Sequence, residues 1–143
     1  MQDDRVRSSL ANALVRLFRQ VNRLHNRALQ RHGLSAEQAH VLVLLWIEGP
    51  KKIGELQRML MLSSGTLTGA IDRMEQAGLV RRVPDPGDGR AYRVEPARFD
   101  ARRQKAIEAT IDETDDQCFA ALTAAERREL LRLLTKATEG LAG

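Results

Sequence analysis

Cysteine is almost missing from this chain. Cys118 stands alone, so no internal disulfide can form, which suits a reducing cytoplasm. Aromatic residues make up only 3% of the 143 residues, so aliphatic side chains must build most of the core. The longest apolar run, Val41 to Ile47, falls far short of the roughly 20 residues that span a bilayer. The opening MQDDRVR lacks the apolar stretch of a secretory signal. Catalytic signatures are lacking as well: there is no Ser/His/Asp order, no paired carboxylates and no phosphate loop ending in Gly-Lys-Ser/Thr. An enzyme is therefore not expected. The only histidines, His25, His32 and His40, have no HxxxH spacing and no CxxC partner, so no metal site and no cofactor are expected.

Charge is present and unevenly spread. The balance is 23 basic minus 19 acidic residues, or +4. Residues 1–33 carry seven arginines against Asp3 and Asp4, and residues 51–93 carry eight basic residues against five acidic ones. An acidic stretch follows at 108–116. Clustered positive charge suggests a polyanionic partner, with nucleic acid first; a merely solvated basic surface is the bland alternative.

The periodicity predicts a mainly helical chain. Leu10, Leu14, Leu17, Val21, Leu24 and Ala28 make an apolar stripe with coiled-coil spacing, and Gly33 ends that helix. Arg19, Arg23, Arg27 and Arg31 form a second row, by default a solvated face. Ser35-Ala36-Glu37-Gln38 fits a capping box, and its helix stops at Gly49-Pro50. A short helix is expected over Ile53 to Met61, and another from the Ser63 N-cap to about Gln76. The period then changes to two short strands, Leu79 to Val83 and Ala91 to Val94, joined by DPGDGR. A helix over about Arg98 to Phe119 carries Ile107, Ile111 and a buried Cys118; Thr123-Ala124-Ala125-Glu126 caps the last one. The expected fold is a winged helix-turn-helix of about six helices and a two-stranded hairpin. Residues 34–96 form the winged part, and 1–33 with 97–143 a helical region. Those terminal helices either complete one core or pair with a second chain; their long stripes favour the second.

The middle part has the plan of a DNA reader. A helix-turn-helix sends its second helix into the major groove, where the leading end must be narrow and polar. Ser63, Ser64, Gly65, Thr66 and Thr68 meet that need, and a helix start offers hydroxyls and free N–H groups to phosphates. Arg73, two turns on, is within reach of the adjacent backbone. Serine and threonine also open ordinary helices, so this signal alone is even-handed. At the hairpin tip, Asp88 is expected to hold Arg90 by a charged hydrogen bond, presenting it to a narrow minor groove. Arg81, Arg82 and Arg93 are candidates for flanking phosphates.

The stretches SSGTLTGAIDRMEQAGLVRR, DPGDGR and LTAAERREL resemble the multiple-antibiotic-resistance regulator (MarR) family over nearly the whole chain. The resemblance implies a homodimeric, cytoplasmic transcription factor, usually a repressor, that binds double-stranded DNA and is released by a small effector. It carries Ser63, Ser64, Thr66, Thr68 and Arg73 to the recognition helix, and Asp88 and Arg90 to the wing. It also implies an effector pocket between the helical region and the winged part, with His25, His40 and Trp46 as candidates and an anionic or aromatic ligand. Trp46 has core packing as its simpler role. Two departures matter. Gly69-Ala70 stands where the family often has longer polar side chains, and Glu95-Pro96 where many members have Leu-Thr. The alternative functions are a winged-helix module that binds protein without specific DNA, and a metal-responsive regulator.

Overall fold

The computed structural model describes residues 2–98 and 101–142. Helix α1 runs Gln2–Leu29 and tightens into a 3-10 turn, Gln30–His32, before Gly33 turns left-handed at φ 70°. Helix α2 follows at Ala36–Glu48, strand β1 at Lys51–Lys52, α3 at Ile53–Leu60 and α4 at Ser64–Gln76. Strands β2, Val80–Asp85, and β3, Asp88–Pro96, form the hairpin. Helices α5, Ala101–Cys118, and α6, Ala124–Leu141, complete the described chain.

The capping boxes expected at both sites are formed. Ser35 Oγ accepts the Gln38 N–H at 3.1 Å while Gln38 Oε1 accepts the Ser35 N–H at 3.0 Å. Thr123 and Glu126 repeat the exchange at 3.1 and 2.9 Å. Each exchange satisfies two amides that a helix start leaves without partners.

The expected two-stranded hairpin is formed by β2 and β3, and a third strand not expected from the sequence joins it, giving the antiparallel order β1-β3-β2. Lys51 pairs with Val94 and Lys52 with Arg93, far apart in sequence. Two lysines after Gly49-Pro50 carry no strand signal; partners supplied from β3 make them one. The strands also run closer to the tip than expected. Asp85 stands opposite Asp88, which leaves Pro86 and Gly87 as the turn.

Leu42, Leu45, Leu56, Leu67, Ile71, Met74, Val80 and Val94 form the centre of the core, closed by Leu29 from α1 and Ile107 from α5. Core contacts of this kind bring about 1.5–3 kcal/mol per buried side chain before entropy is counted. The inward face of α5 is Ile107, Thr110 and Thr114. The threonines are buried at no polar cost, because each hydroxyl donates to the carbonyl four residues back, at 2.9 and 2.7 Å. Cys118, expected on that face, is half-buried instead. It lies four residues past Thr114, at the end of α5, where the core has run out.

The terminal helices keep their apolar stripes out of this core. Leu10 (68% exposed) and Phe18 (65%) stand out on α1, and Leu131 (66%) on α6 with Leu133 and Leu134. No residue of α6 is buried. Leu29 and Ile107 join the core from the terminal regions, while the outer stripes of α1 and α6 stay exposed.

Candidate nucleic-acid interface

The turn into α4 forces an exposed polar end. Met61 closes α3 in the left-handed conformation at φ 53°, and Leu62 N–H reaches back to the Gln57 carbonyl at 3.3 Å. The chain then re-enters a helix at Ser63. Ser63 Oγ accepts the Thr66 N–H at 3.3 Å and donates to Thr66 Oγ1 at 2.8 Å. Ser63, Ser64, Gly65 and Thr66 are exposed together; Thr68 is half-buried one turn on. Leu67, Ala70, Ile71 and Met74 bury the opposite face. Five of the expected residues thus share one end of one helix.

Arg73 lies nearer than expected to the middle of this face. A Cβ on Gly69 would stand 3.4 Å from Arg73 Nη1, so the arginine leans back one turn across the glycine. Helical side chains point toward the N-terminus, and a bare glycine lets this one lie flat. Gly69 therefore lies beneath the guanidinium four residues on.

At the wing tip the expected charged hydrogen bond is replaced by a different one. Asp88 Oδ1 accepts the backbone N–H of Arg90 at 3.0 Å, not its guanidinium. Asp85 does the same for Gly87, at 2.9 Å. The tip is two successive side-chain-closed turns, in which an aspartate caps the amide two residues on. Gly87 and Gly89 both keep negative φ, so the carboxylates rather than left-handed glycines shape it. Arg90 is exposed, and its guanidinium has no partner among the described residues.

The strand arginines are largely committed elsewhere. Arg81 pairs with Glu95 across the hairpin. Arg82 bridges back to α4, with Nη2 2.6 Å from Asp72 and Nη1 2.8 Å from Glu75. Arg93 Nε lies 3.7 Å from Asp85 Oδ1. Arg81 and Arg82 thus each have carboxylate partners within the fold. Arg93 stays half-exposed beside its carboxylate.

A second feature lies between α1, α2 and α5: a cavity of about 740 Å³, lined by Phe18, Val21, His25, His40, Leu60 and Ile111 among others. His25 Nδ1 donates to the Val21 carbonyl at 2.9 Å, and Nε2 stands 2.9 Å from Asp115 Oδ1. With Nδ1 committed, the Asp115 contact is a hydrogen bond only when the ring carries both protons. His40 is exposed at the rim. Trp46 does not line the cavity; it packs half-buried against the core, the simpler of its two roles.

His32 and Cys118 lie outside both features. His32 Nε2 stands 2.9 Å from Thr110 Oγ1, which also accepts Arg31 Nη2 at 2.6 Å. Burial, then the charges of Arg31 and Arg103, lower the imidazole pKa from 6.5. Burial, then the Asp115 carboxylate, raise the Cys118 pKa, which keeps it a thiol. Among the described residues no group of three His, Cys, Asp or Glu side chains could hold a metal ion.

Sequence reasoning missed Lys52 and Asp85. Asp85 was hidden in a turn-forming string where every residue reads as solvated. Its only available signal was its place two residues before Gly87, the same offset by which Asp88 precedes Arg90.

These elements define a winged helix-turn-helix flanked by helices from both ends of the chain. The sequence model of the MarR family matches residues 34–92. The HTH-type transcriptional regulator YcgE of Bacillus subtilis (strain 168), described as uncharacterized, is 33% identical over 117 residues, covering 78% of this chain and 76% of that protein. The HTH-type transcriptional regulator MgrA of Staphylococcus aureus is 29% identical over 134 residues, 92% of this chain and 88% of that one. Among solved structures, a cysteine-to-serine mutant of MarR from E. coli, complexed with operator DNA, superposes with a TM-score of 0.82 at 26% identity. That match covers 90% of this chain and 93% of that chain. The chain belongs to the MarR family.

Proposed function

We propose that this chain is a DNA-binding transcriptional regulator, acting as a homodimer on a pseudo-palindromic operator, with repression as its expected direction. One observation carries the reading. The winged module presents two exposed polar groups, the N-terminal end of α4 and the Arg90 guanidinium at the wing tip, the latter with no partner among the described residues. Ser63, Ser64, Gly65, Thr66, Thr68 and Arg73 serve the major groove and its phosphates; Arg90, on its Asp88-capped turn, serves the minor groove. Arg93 contributes charge beside the wing. The operator complex described for the E. coli relative supports the same use of this fold.

Homodimerisation accounts for the exposed leucines of α1 and α6, which are too many and too aligned for a solvated surface. Two recognition helices then lie one DNA turn apart, ~34 Å. The cavity by α1, α2 and α5 is the effector site in this reading, with His25 and His40 as its polar groups and apolar walls for an aromatic anion. A DNA-binding role places the protein in the cytoplasm. A mobility shift with the gene's own upstream DNA tests the reading, and no measurable affinity at low salt defeats it. Light scattering tests the dimer: the proposal requires twice the 16.0 kDa chain mass.

A further inference from the structure

The wing carries a buried carboxylate that Arg90 does not touch. Asp85 ends β2 beside an exposed tip, yet its side chain is only 4% exposed. Its Oδ1 accepts the Gly87 N–H at 2.9 Å, and its Oδ2 faces Lys52 Nζ at 3.1 Å. That ammonium lies off the direction of a good hydrogen bond, so Oδ2 is held by charge alone. Arg93 Nε approaches from β3 at 3.7 Å. Two strands and the turn therefore meet on this one carboxylate of β2: β1 through Lys52, β3 through Arg93, and the tip through Gly87.

Lys52 makes this junction more than a local contact. Its backbone N–H is accepted by Glu55 Oε1 at 3.1 Å, which fixes it at the start of α3. Its side chain then reaches the wing tip. The first helix of the helix-turn-helix and the turn that carries Arg90 are thus tied through one lysine and one aspartate. The junction sits where the strand register is irregular, between Pro84 and Asp85. A hairpin tip without such an anchor swings about its base, and a guanidinium that swings must lose that freedom on entering a groove.

We propose that Asp85 is a positioning residue for DNA recognition: through Gly87, Lys52 and Arg93 it fixes the bearing of the wing tip, and so of Arg90, relative to the helix-turn-helix. The proposal rests on the DNA-binding reading above. The Gly87 amide and then the Lys52 ammonium also hold the Asp85 carboxyl below the ordinary carboxylate range, so the anchor is charged at neutral pH. Asp85 touches no DNA; its effect passes through Arg90.

The test is a double-mutant cycle on the full chain, using an operator duplex selected with the wild-type protein. Asp85→Ala is expected to weaken operator binding about tenfold while leaving random-sequence duplex within about twofold. In that background Arg90→Ala should cost less than about twofold, because an unanchored arginine already contributes little. Asp85→Asn, which keeps an acceptor for Gly87, and Lys52→Gln should each fall between Asp85→Ala and wild type. These two variants carry the cycle if Asp85→Ala melts before it can be assayed. Equal costs of Arg90→Ala with and without Asp85 overturn the proposal, as does wild-type operator affinity in Asp85→Ala. Amide hydrogen exchange of the free protein is the second arm. Protection over residues 85–92 should drop in Asp85→Ala and not elsewhere, and unchanged exchange there overturns the proposal. A wild-type chain that binds no duplex defeats the DNA reading itself, an outcome separate from additive mutants on a chain that binds.

Discussion

The Asp88 carboxylate holds the amide of Arg90 at 3.0 Å and leaves the guanidinium of the same residue unpaired among the described residues. A carboxylate bound to the guanidinium would have to be displaced before DNA could bind there. Bound to the backbone, it shapes the turn and costs nothing at binding. Asp88→Asn keeps an acceptor at the same place and should bind operator within about twofold of wild type, whereas Asp88→Ala loses a hydrogen bond worth about 1 kcal/mol and should weaken binding about fivefold. Fluorescence anisotropy of the two variants separates a shaping role from a charge role; equal losses point to charge.

Arg82 joins the wing to α4. Its guanidinium spans Asp72 and Glu75 on α4 from the strand that leads to the wing. Arg82→Met should lower stability by about 1–2 kcal/mol, since two carboxylates lose a half-buried partner. The slope of log K against log salt should hardly change, because no phosphate contact is removed. A slope shallower by about one ion shows that Arg82 meets a phosphate after all.

Gly69 makes a prediction about preference. Alanine there favours the helix by up to about 1 kcal/mol, so Gly69→Ala should melt higher than wild type. The added methyl would stand 3.4 Å from Arg73 Nη1, an ordinary van der Waals contact, so the guanidinium keeps its place. Selection from a random duplex library should return the wild-type consensus for the variant. A changed consensus contradicts this placement of Arg73.

His32 sets a pH dependence with a definite sign. Its folded pKa lies below 6.5, so the unfolded chain binds the proton more readily. Its contribution to stability is full above about 6.5 and is lost as pH falls through the folded value. A proton added there brings positive charge beside Arg31 and Arg103, with only the Thr110 hydroxyl to receive it. Urea midpoints should fall between pH 7.5 and pH 5.5 in wild type, and fall less in His32→Gln. Parallel curves count against this site.

The helices were legible because their signals are local. Ser35, Gly49, Ser63 and Thr123 punctuate the chain where the capping rules require, and the stripes of α1 and α6 show their apolar residues even without a partner. Strand β1 was not legible, because Lys51 and Lys52 become a strand only when β3 arrives. The wing arginines were legible as charges but not as pairs. Asp72, Glu75 and Glu95 sit seven to fourteen residues from the arginines they hold, and only the fold sets those distances. Asp85 was the least legible, since burial within an exposed hairpin depends on stems from two other strands.

The central claim is that the wing arginine reads DNA. Its most direct test is titration of one selected operator duplex with wild type and Arg90→Ala at two salt concentrations. The account predicts that wild type binds tightly, weakens steeply with salt, and loses at least about 1 kcal/mol on removal of the guanidinium. Equal affinity of the two proteins at both salts would contradict it.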